Sequence, residues 1–442
     1  MLLSRSIPGL RTKGIITTMT AEFPKMVEVR QYYPASPRLI FSDLLREQFA
    51  RSGVLDRVSP GMRIALGVGS RGISNLAEIV KETAKLLKNA GAIPFIVPAM
   101  GSHGGATPEG QEKVLTEYGI TPESMGVSFE TSMEVRQVGS TIDGRDVVFS
   151  VAALNADGVI AINRVKPHTD FFGDLGSGLQ KMLTIGFGKH VGAANAHRAA
   201  SRLGHQMVIS EAAKVILNTL PVLGGVAILE DQHHETATVE VIAATDIVEE
   251  ERRLLSKARS LMSQLPFEEI DLLVIDQIGK EISGTGMDTN VIGRGVLGYL
   301  ASLNRTDLSH PHILRIFVRE LTATTNGNGI GIGLADFTTT RAVESLNLNY
   351  VYTNAITSLG LPTAKIPIYF DTDREVIKKA IASLATEAPN KLRIVRILNT
   401  LSLDRMLASE VLAQEALGKG NLTIAGTPRE MDFDEAGNLL PF

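Results

Sequence analysis

From about residue 60 the chain alternates short β-branched runs with longer amphipathic ones, and no other feature limits its possible folds so strongly. RIALGVG (63–69) reads as a strand, SNLAEIVKETAKLLKNAG (74–91) as a helix capped by Ser74 and closed by Gly91, and AIPFIVPAM (92–100) as the next strand. Strand, helix and strand in that order make a βαβ unit, which calls for a parallel sheet with helices on its faces. DGVIAIN (157–163), GGVAILE (224–230) and TVEVIAA (238–244) continue the strand pattern.

A chain of 442 residues exceeds what one hydrophobic core usually supports. The charged helix IVEEERRLLSKARSLMSQL (247–265) ends at Pro266, and IDLLVIDQIG (270–279) then starts a new alternation. The second half continues with ILRIFVREL (313–321), NYVYTNAI (349–356) and TAKIPIYF (363–370) as strands and VIKKAIASLA (376–385) as a helix. The expected class is α/β with mainly parallel sheets. Residues 26–265 are expected to form a Rossmann-like N-terminal domain and 266–442 a C-terminal α/β domain, with the active site in the cleft between them. Residues 1–25 carry Arg5, Arg11 and Lys13 with no acid before Glu22, but Pro8, Gly9 and Gly14 spoil an amphipathic helix, so they read as a dispensable extension.

Composition removes several classes of function. The chain has no cysteine, which excludes disulfides, thiolate metal sites and thiol nucleophiles. A net charge of -4 supplies no basic surface for nucleic acid. No apolar run reaches the roughly 18 to 20 residues needed to cross a bilayer, and the expected location is cytoplasmic.

Gly67-Val-Gly69-Ser70-Arg71-Gly72 matches G-x-G-x-x-G between a strand and a helix, where backbone N–H groups bind phosphate well. A dinucleotide site also needs an acid at the end of the next strand, and AIPFIVPAMGSHGG has none. Arg71 is suited instead to a carboxylate or phosphate, which its planar fork binds bidentately.

His103 follows the second strand and precedes a helix that Thr107 and Pro108 can start. His168 follows DGVIAIN in the same way, and His197 ends the glycine-rich stretch GSGLQKMLTIGFGKHVGAANAH. The carboxyl ends of parallel strands are where α/β proteins put their ligands, so these three are functional candidates. His190 and His205 read as isolated, and His233 and His234 as solvated surface in the acidic loop DQHHE. Ser309-His310-Pro311-His312 is more simply a loop than a chelate. Lys181, in GSGLQKM, lacks both the glycine before and the hydroxyl after it that a Walker motif requires. A lysine among glycines has room for a covalent attachment, and an imidazole sixteen residues on can bind the far end of what is attached.

On these residues the chain resembles the nickel-pincer lactate racemases and their 2-hydroxyacid racemase and epimerase homologues, over most of its length from about residue 26. In that family a glycine-flanked lysine holds a pyridinium thiocarboxamide mononucleotide, the nickel-pincer nucleotide, and a histidine sixteen residues on completes the nickel site. Lys181 and His197 match in type and interval. The cofactor's own sulfurs and ring carbon would explain soft-metal chemistry without cysteine. The resemblance further implies His103 and His168 as the acid/base pair, Arg71 with Gln277 and Lys280 as substrate-binding groups, and Ser70, Arg71 and Gly178 beside Lys181 in cofactor binding. The chain departs from lactate racemase in a longer segment from His168 to Lys181 and in a first turn, GVGSR, that lacks an acid.

The implied reaction inverts C2 of a 2-hydroxy acid, lactate-like, dicarboxylic or a sugar acid, by reversible hydride transfer to the cofactor. One histidine would take the hydroxyl proton and the other would serve the opposite face. The glycine-rich KEISGTGMD loop (280–288), with Asp288, leaves room for further hydroxyl groups. The implied partners are such a substrate and the proteins that make the nickel cofactor; oligomeric state is open, a homo-oligomer included. Two other readings fit the residues: a zinc enzyme with His103, His168 and His197 as ligands and Lys181 stabilising charge, and a binding protein for acidic metabolites using Arg71 and Lys280. A second glycine-rich run, NGNGIGIGLADFTTT (326–340), lines the cleft or forms a buried turn.

Overall fold

The computed structural model describes residues 23–69, 72–169, 171–296, 311–384 and 391–441. Its strands, in chain order, are β1 (Met26–Gln31), β2 (Arg63–Val68), β3 (Ile93–Pro98), β4 (Val135–Ser140), β5 (Asp146–Ser150), β6 (Gly158–Arg164), β7 (Val222–Glu230), β8 (Thr236–Ala243), β9 (Glu269–Ile278), β10 (His312–Leu321), β11 (Phe337–Thr339), β12 (Ile368–Phe370), β13 (Ile394–Asn399), β14 (Ser402–Ser409) and β15 (Leu422–Arg429). They form a five-stranded sheet of order β3-β2-β6-β7-β8, an eight-stranded sheet of order β12-β11-β10-β9-β13-β14-β1-β15, and the hairpin β4-β5.

In the five-stranded sheet β3, β2, β6 and β7 run parallel and β8 returns antiparallel. Because successive residues of a strand face opposite sides, Ile64 and Leu66 of β2 enter one apolar layer and Ala65 the other. The first layer is covered by helices Phe41–Ser52, Leu76–Asn89 and Pro108–Glu117, the second by His205–Thr219 and Ile247–Ser260. Helix Pro108–Glu117 starts as expected, with Thr107 Oγ1 accepting from the Gly110 N–H at 3.0 Å. Helix Leu76–Asn89 does not use Ser74: its N-cap is Asn75 in a left-handed conformation, and the Ser74 hydroxyl donates to Glu235 instead.

The eight-stranded sheet is less parallel than the sequence suggests. β9 through β13 pair in parallel, while β14, β1 and β15 are antiparallel additions. β1, grouped by sequence with residues 26–265, is the insertion that joins β14 to β15 in this sheet. Its apolar side chains Val27 and Val29 find the core shared by Leu273, Ile275 and Ile397 rather than that of β2. Of the expected extension, residues 1–22 lie outside the described residues, and Phe23 packs on Phe433 at 5.5 Å between ring centroids.

Two further expectations are corrected. NYVYTNAI (349–356) is not a strand but the middle of helix Leu348–Ser358. Asn347 caps it through the Tyr350 N–H, and Val351 and Ala355, four apart, bury one stripe. TAKIPIYF pairs only over Ile368–Phe370, because residues 361–364 form a tight helical turn and Pro367 has no N–H for a ladder. Among the described residues no helix is long and apolar enough to cross a membrane.

Candidate functional site

In the five-stranded sheet the chain runs outward from β2 to β3 and then returns to the other side of β2 for β6, so β2 and β6 flank a topological switch point. In the eight-stranded sheet β10, β11 and β12 lie to one side of β9 and β13 to the other, making a second switch point between β9 and β13. Loops leaving the carboxyl ends at such points splay apart and leave a crevice. Both sets of loops here line one cavity of about 660 Å³, well within the range of cofactor and substrate sites. Gly69, His103, His168, Lys181 and His197 lie on its walls from one side, and Lys280, Ser283, Asp288 and Thr400 from the other.

Lys181 closes the short helix Leu179–Lys181 and is followed by a π-turn over Met182–Gly186. Single π-turns recur at functional sites because they shift side chains out of helical register. The Lys181 Nζ shares a hydrogen bond with His168 Nε2. His168 stacks on Phe171 (centroids 4.4 Å apart, planes 14° apart), and Phe171 stacks in turn on His205 (5.0 Å, 12°). His205 meets His197 edge-on, with His205 Nε2 3.5 Å from His197 Nδ1. His205 is therefore not isolated, as its place in the sequence suggested. It opens the helix after the one that carries His197, and the turn between them folds its ring back.

The loop from β6 to Lys181 is closed at its neck, where Lys166 and Ser177 exchange backbone hydrogen bonds of 2.9 and 2.8 Å. It is held from the other sheet by Asn290 Nδ2, which donates to the His168 carbonyl (3.2 Å), and by Thr289 Oγ1, which donates to the Thr169 carbonyl (2.6 Å). Neither residue carries a sequence signal, since each acts on backbone more than a hundred residues away.

Two buried ionisable groups support the site and were also missed. Glu251, on helix Ile247–Ser260, accepts from the Gln180 N–H at 2.8 Å and so anchors the lysine turn. Burial pushes its carboxyl up to about 7, against the lowering effect of the Gln180 and Leu179 N–H groups. A Cβ on Gly178 would stand 2.5 Å from Glu251 Oε1. Gly178, expected to contact a cofactor, is not among the described residues lining the cavity; its bareness admits this carboxyl. Lys189 is fully buried, and burial brings its pKa down to about 8.

The remaining expected residues fall into three groups. Ser70 and Arg71 lie outside the described residues. Lys280 lines the cavity, with its Nζ donating to the Gly284 carbonyl at 2.8 Å. Gln277 does not line the cavity among the described residues; it sits within β9 and donates to Glu320 of β10 at 3.2 Å. His234, read as solvated surface, lines the cavity near the Arg164–Glu230 ion pair. His310 lies outside the described residues, and His312 pairs with Glu269 at 3.0 Å on the surface. The second glycine-rich run meets the KEISGTGMD loop: Gly331, at φ 95°, would place a Cβ 1.8 Å from the Thr285 carbonyl oxygen, and the neighbouring Ile330 lines the cavity.

His103, His168 and His197 do not converge as metal ligands: among the described residues no group of three or more histidines and carboxylates stands close enough to hold an ion. The zinc triad is thereby set aside: His103 sits in the loop after β3, His168 is hydrogen-bonded to Lys181, and His197 meets His205.

Residues 69–252 match the family model described as a domain of unknown function, DUF362. No curated protein matches the sequence. The fold is similar to that of the lactate racemase apoprotein from Thermoanaerobacterium thermosaccharolyticum, with a TM-score of 0.52 at 13% identity over 86% of this chain and 99% of that one. A structure of a protein from Thermotoga maritima is similar at a TM-score of 0.46 and 13% identity, over 82% of this chain and 94% of the other.

Proposed function

We propose that the protein is a racemase or epimerase that inverts C2 of a 2-hydroxy acid, using a nickel-pincer nucleotide tethered to Lys181. The observation that carries this reading is the meeting of Lys181, His168 and His197 at one cavity, on a fold similar to lactate racemase. The donor set suits such a group. The protein offers an amine for attachment and imidazoles for the metal, and with no cysteine and no protein-only metal cluster among the described residues, sulfur ligands would come from the cofactor. Lys181 would hold it and His197 would ligate its nickel, with His205 orienting the His197 ring from behind.

When bound, the cofactor supplies a hydride acceptor. The protein's task is to bind the acid and move one proton at its hydroxyl oxygen. Lys280, reaching from the eight-stranded sheet, binds the carboxylate, and Arg71 assists from the first turn. His103, in the loop after β3, and His168, in the loop after β6, both line the cavity and are the pair that would take the hydroxyl proton from one enantiomer and return it to the other. The His168–Lys181 hydrogen bond gives His168 a second use, since it would hold the amine in place for the attachment of the cofactor. The proteins that synthesise and load the cofactor are necessary partners in this reading.

Intact mass and nickel analysis of protein made with and without the nickel-cofactor pathway test the proposal. A mass increment on Lys181 with one nickel per chain, and racemisation of a 2-hydroxy acid that Lys181→Ala abolishes, is the expected result. No increment when the pathway is present overturns it.

A further inference from the structure

We propose that Lys189 and Gln111 are positioning residues that fix the loop bearing His103; its catalytic meaning rests on the reading of His103 as an acid/base group. The loop needs an outside anchor, because Gly101, Gly104 and Gly105 all have positive φ and glycine holds no conformation by itself. Gln111, fully buried on helix Pro108–Glu117, supplies one. Its Nε2 donates to the Gly101 carbonyl at 2.9 Å and to the His103 carbonyl at 3.3 Å. Its Oε1 accepts from Lys189 Nζ at 3.2 Å, which sets the amide's orientation. The same amine donates to the Pro98 carbonyl, the last residue of β3, at 2.6 Å.

Lys189 is an expensive choice for this place. It is wholly buried, no carboxylate among the described residues pairs with it, and its φ of 54° is left-handed, where a side chain costs about 1 kcal/mol or more. A glycine would suit the backbone and an apolar residue the burial; only an amine donor joins β3, Gln111 and the loop. The opposite side of the loop is held by the Gly101 N–H, which donates at 3.2 Å to the carbonyl of Gly186, the end of the π-turn after Lys181. The loop of His103 and the segment of Lys181 are thereby fastened to each other, and the separation of the two groups across the cavity is set by backbone contacts.

Lys189→Met keeps the length and removes the donor. Gln111→Glu keeps an acceptor for Lys189 but replaces the amide donor with an oxygen facing two carbonyls, so it frees the loop while retaining the buried lysine's partner. Amide hydrogen exchange over residues 99–107 and the rate at which diethyl pyrocarbonate modifies His103 are read on the full chain. Exchange faster by about tenfold in that segment, with His103 modification changed and His197 modification unchanged, is expected for both variants. Exchange in 99–107 matching the wild type, or rising equally across the helices of the five-stranded sheet, overturns the proposal. Neither readout uses substrate or cofactor, so the result is independent of whether the mass and nickel experiment supports the racemase.

Discussion

The two large sheets treat buried charge in opposite ways. In the eight-stranded sheet Asp276 sits between Arg396 (2.9 and 2.7 Å) and Arg319 (3.0 Å), and Arg319 continues to Asp373, which also accepts from Arg341 at 2.6 Å. The Leu439 N–H and the Leu439 and Leu440 carbonyls complete the set, and Glu320, 3.9 Å from Arg341, is the third acid for the three arginines, so the C-terminal segment is sealed over the sheet by a network of opposite charges. Beside the five-stranded sheet, Lys189 and Glu251 are as deeply buried, yet each faces neutral amides and carbonyls, and each has its pKa moved toward neutrality. A closed network of opposite charges is inert scaffolding. A solitary ionisable group costs stability and persists where it holds backbone that must not move, which here means the loops of His103 and Lys181.

Removing one partner from the closed network gives the largest expected effect. Asp373→Ala leaves Arg319 and Arg341 without their shared carboxylate and should cost about 3–5 kcal/mol in urea unfolding; a loss under about 1 kcal/mol would erase the distinction between the sheets. Glu251 should show the opposite pH signature from a paired acid. Its folded pKa of about 7 lies above the ordinary 4.5, so below pH 4.5 it imposes no penalty. Between pH 4.5 and 7 the unfolded chain releases the proton first, and stability falls by up to about 3 kcal/mol before levelling off. Glu251→Gln should flatten that slope, and unfolding curves of the two proteins from pH 4 to 8 measure the difference. The smallest effect belongs to Gly178→Ala, whose methyl must push against Glu251 Oε1 at a cost of about 1–3 kcal/mol. If Gly178 instead serves a ligand, adding Glu251→Ala will not relieve that cost; if it serves the carboxyl, the two changes will be strongly non-additive.

Much of the five-stranded sheet was legible because buried parallel strands are written as continuous apolar runs, as in RIALGVG and DGVIAIN. Strand ends then pointed to His103 and His168, and the glycine-rich stretch GSGLQKM to Lys181. Helix Leu348–Ser358 was misread because exposed Tyr350, Tyr352 and Ile356 imitate a strand's composition, while the stripe that decides its form is only Val351 and Ala355. β1 went unseen, since its antiparallel partners β14 and β15 lie hundreds of residues away and leave no local pattern, and the hairpin of β13 and β14, with Asn399 opposite Ser402, also went unread. Gln277 was placed by resemblance, and the sheet register turned it to Glu320. His205, Lys189 and Glu251 could be found only through contacts made after folding; the nearest hint was a lysine at the end of GFGK, where a helix begins.

β1 also sets a timetable. Met26 lies opposite Ser409, so the strand made first waits for one of the strands made last. At about 5–20 residues per second a ribosome takes roughly 20 to 80 s to span that interval. Throughout it the Val27 and Val29 edge is exposed while the whole five-stranded sheet is synthesised and can form. Closure of so distant a pairing is slow in any chain. A nascent protein of this design is therefore open to capture by chaperones through its first strand, and changes near residue 26 should lower the yield of folded protein before they affect anything the finished site does.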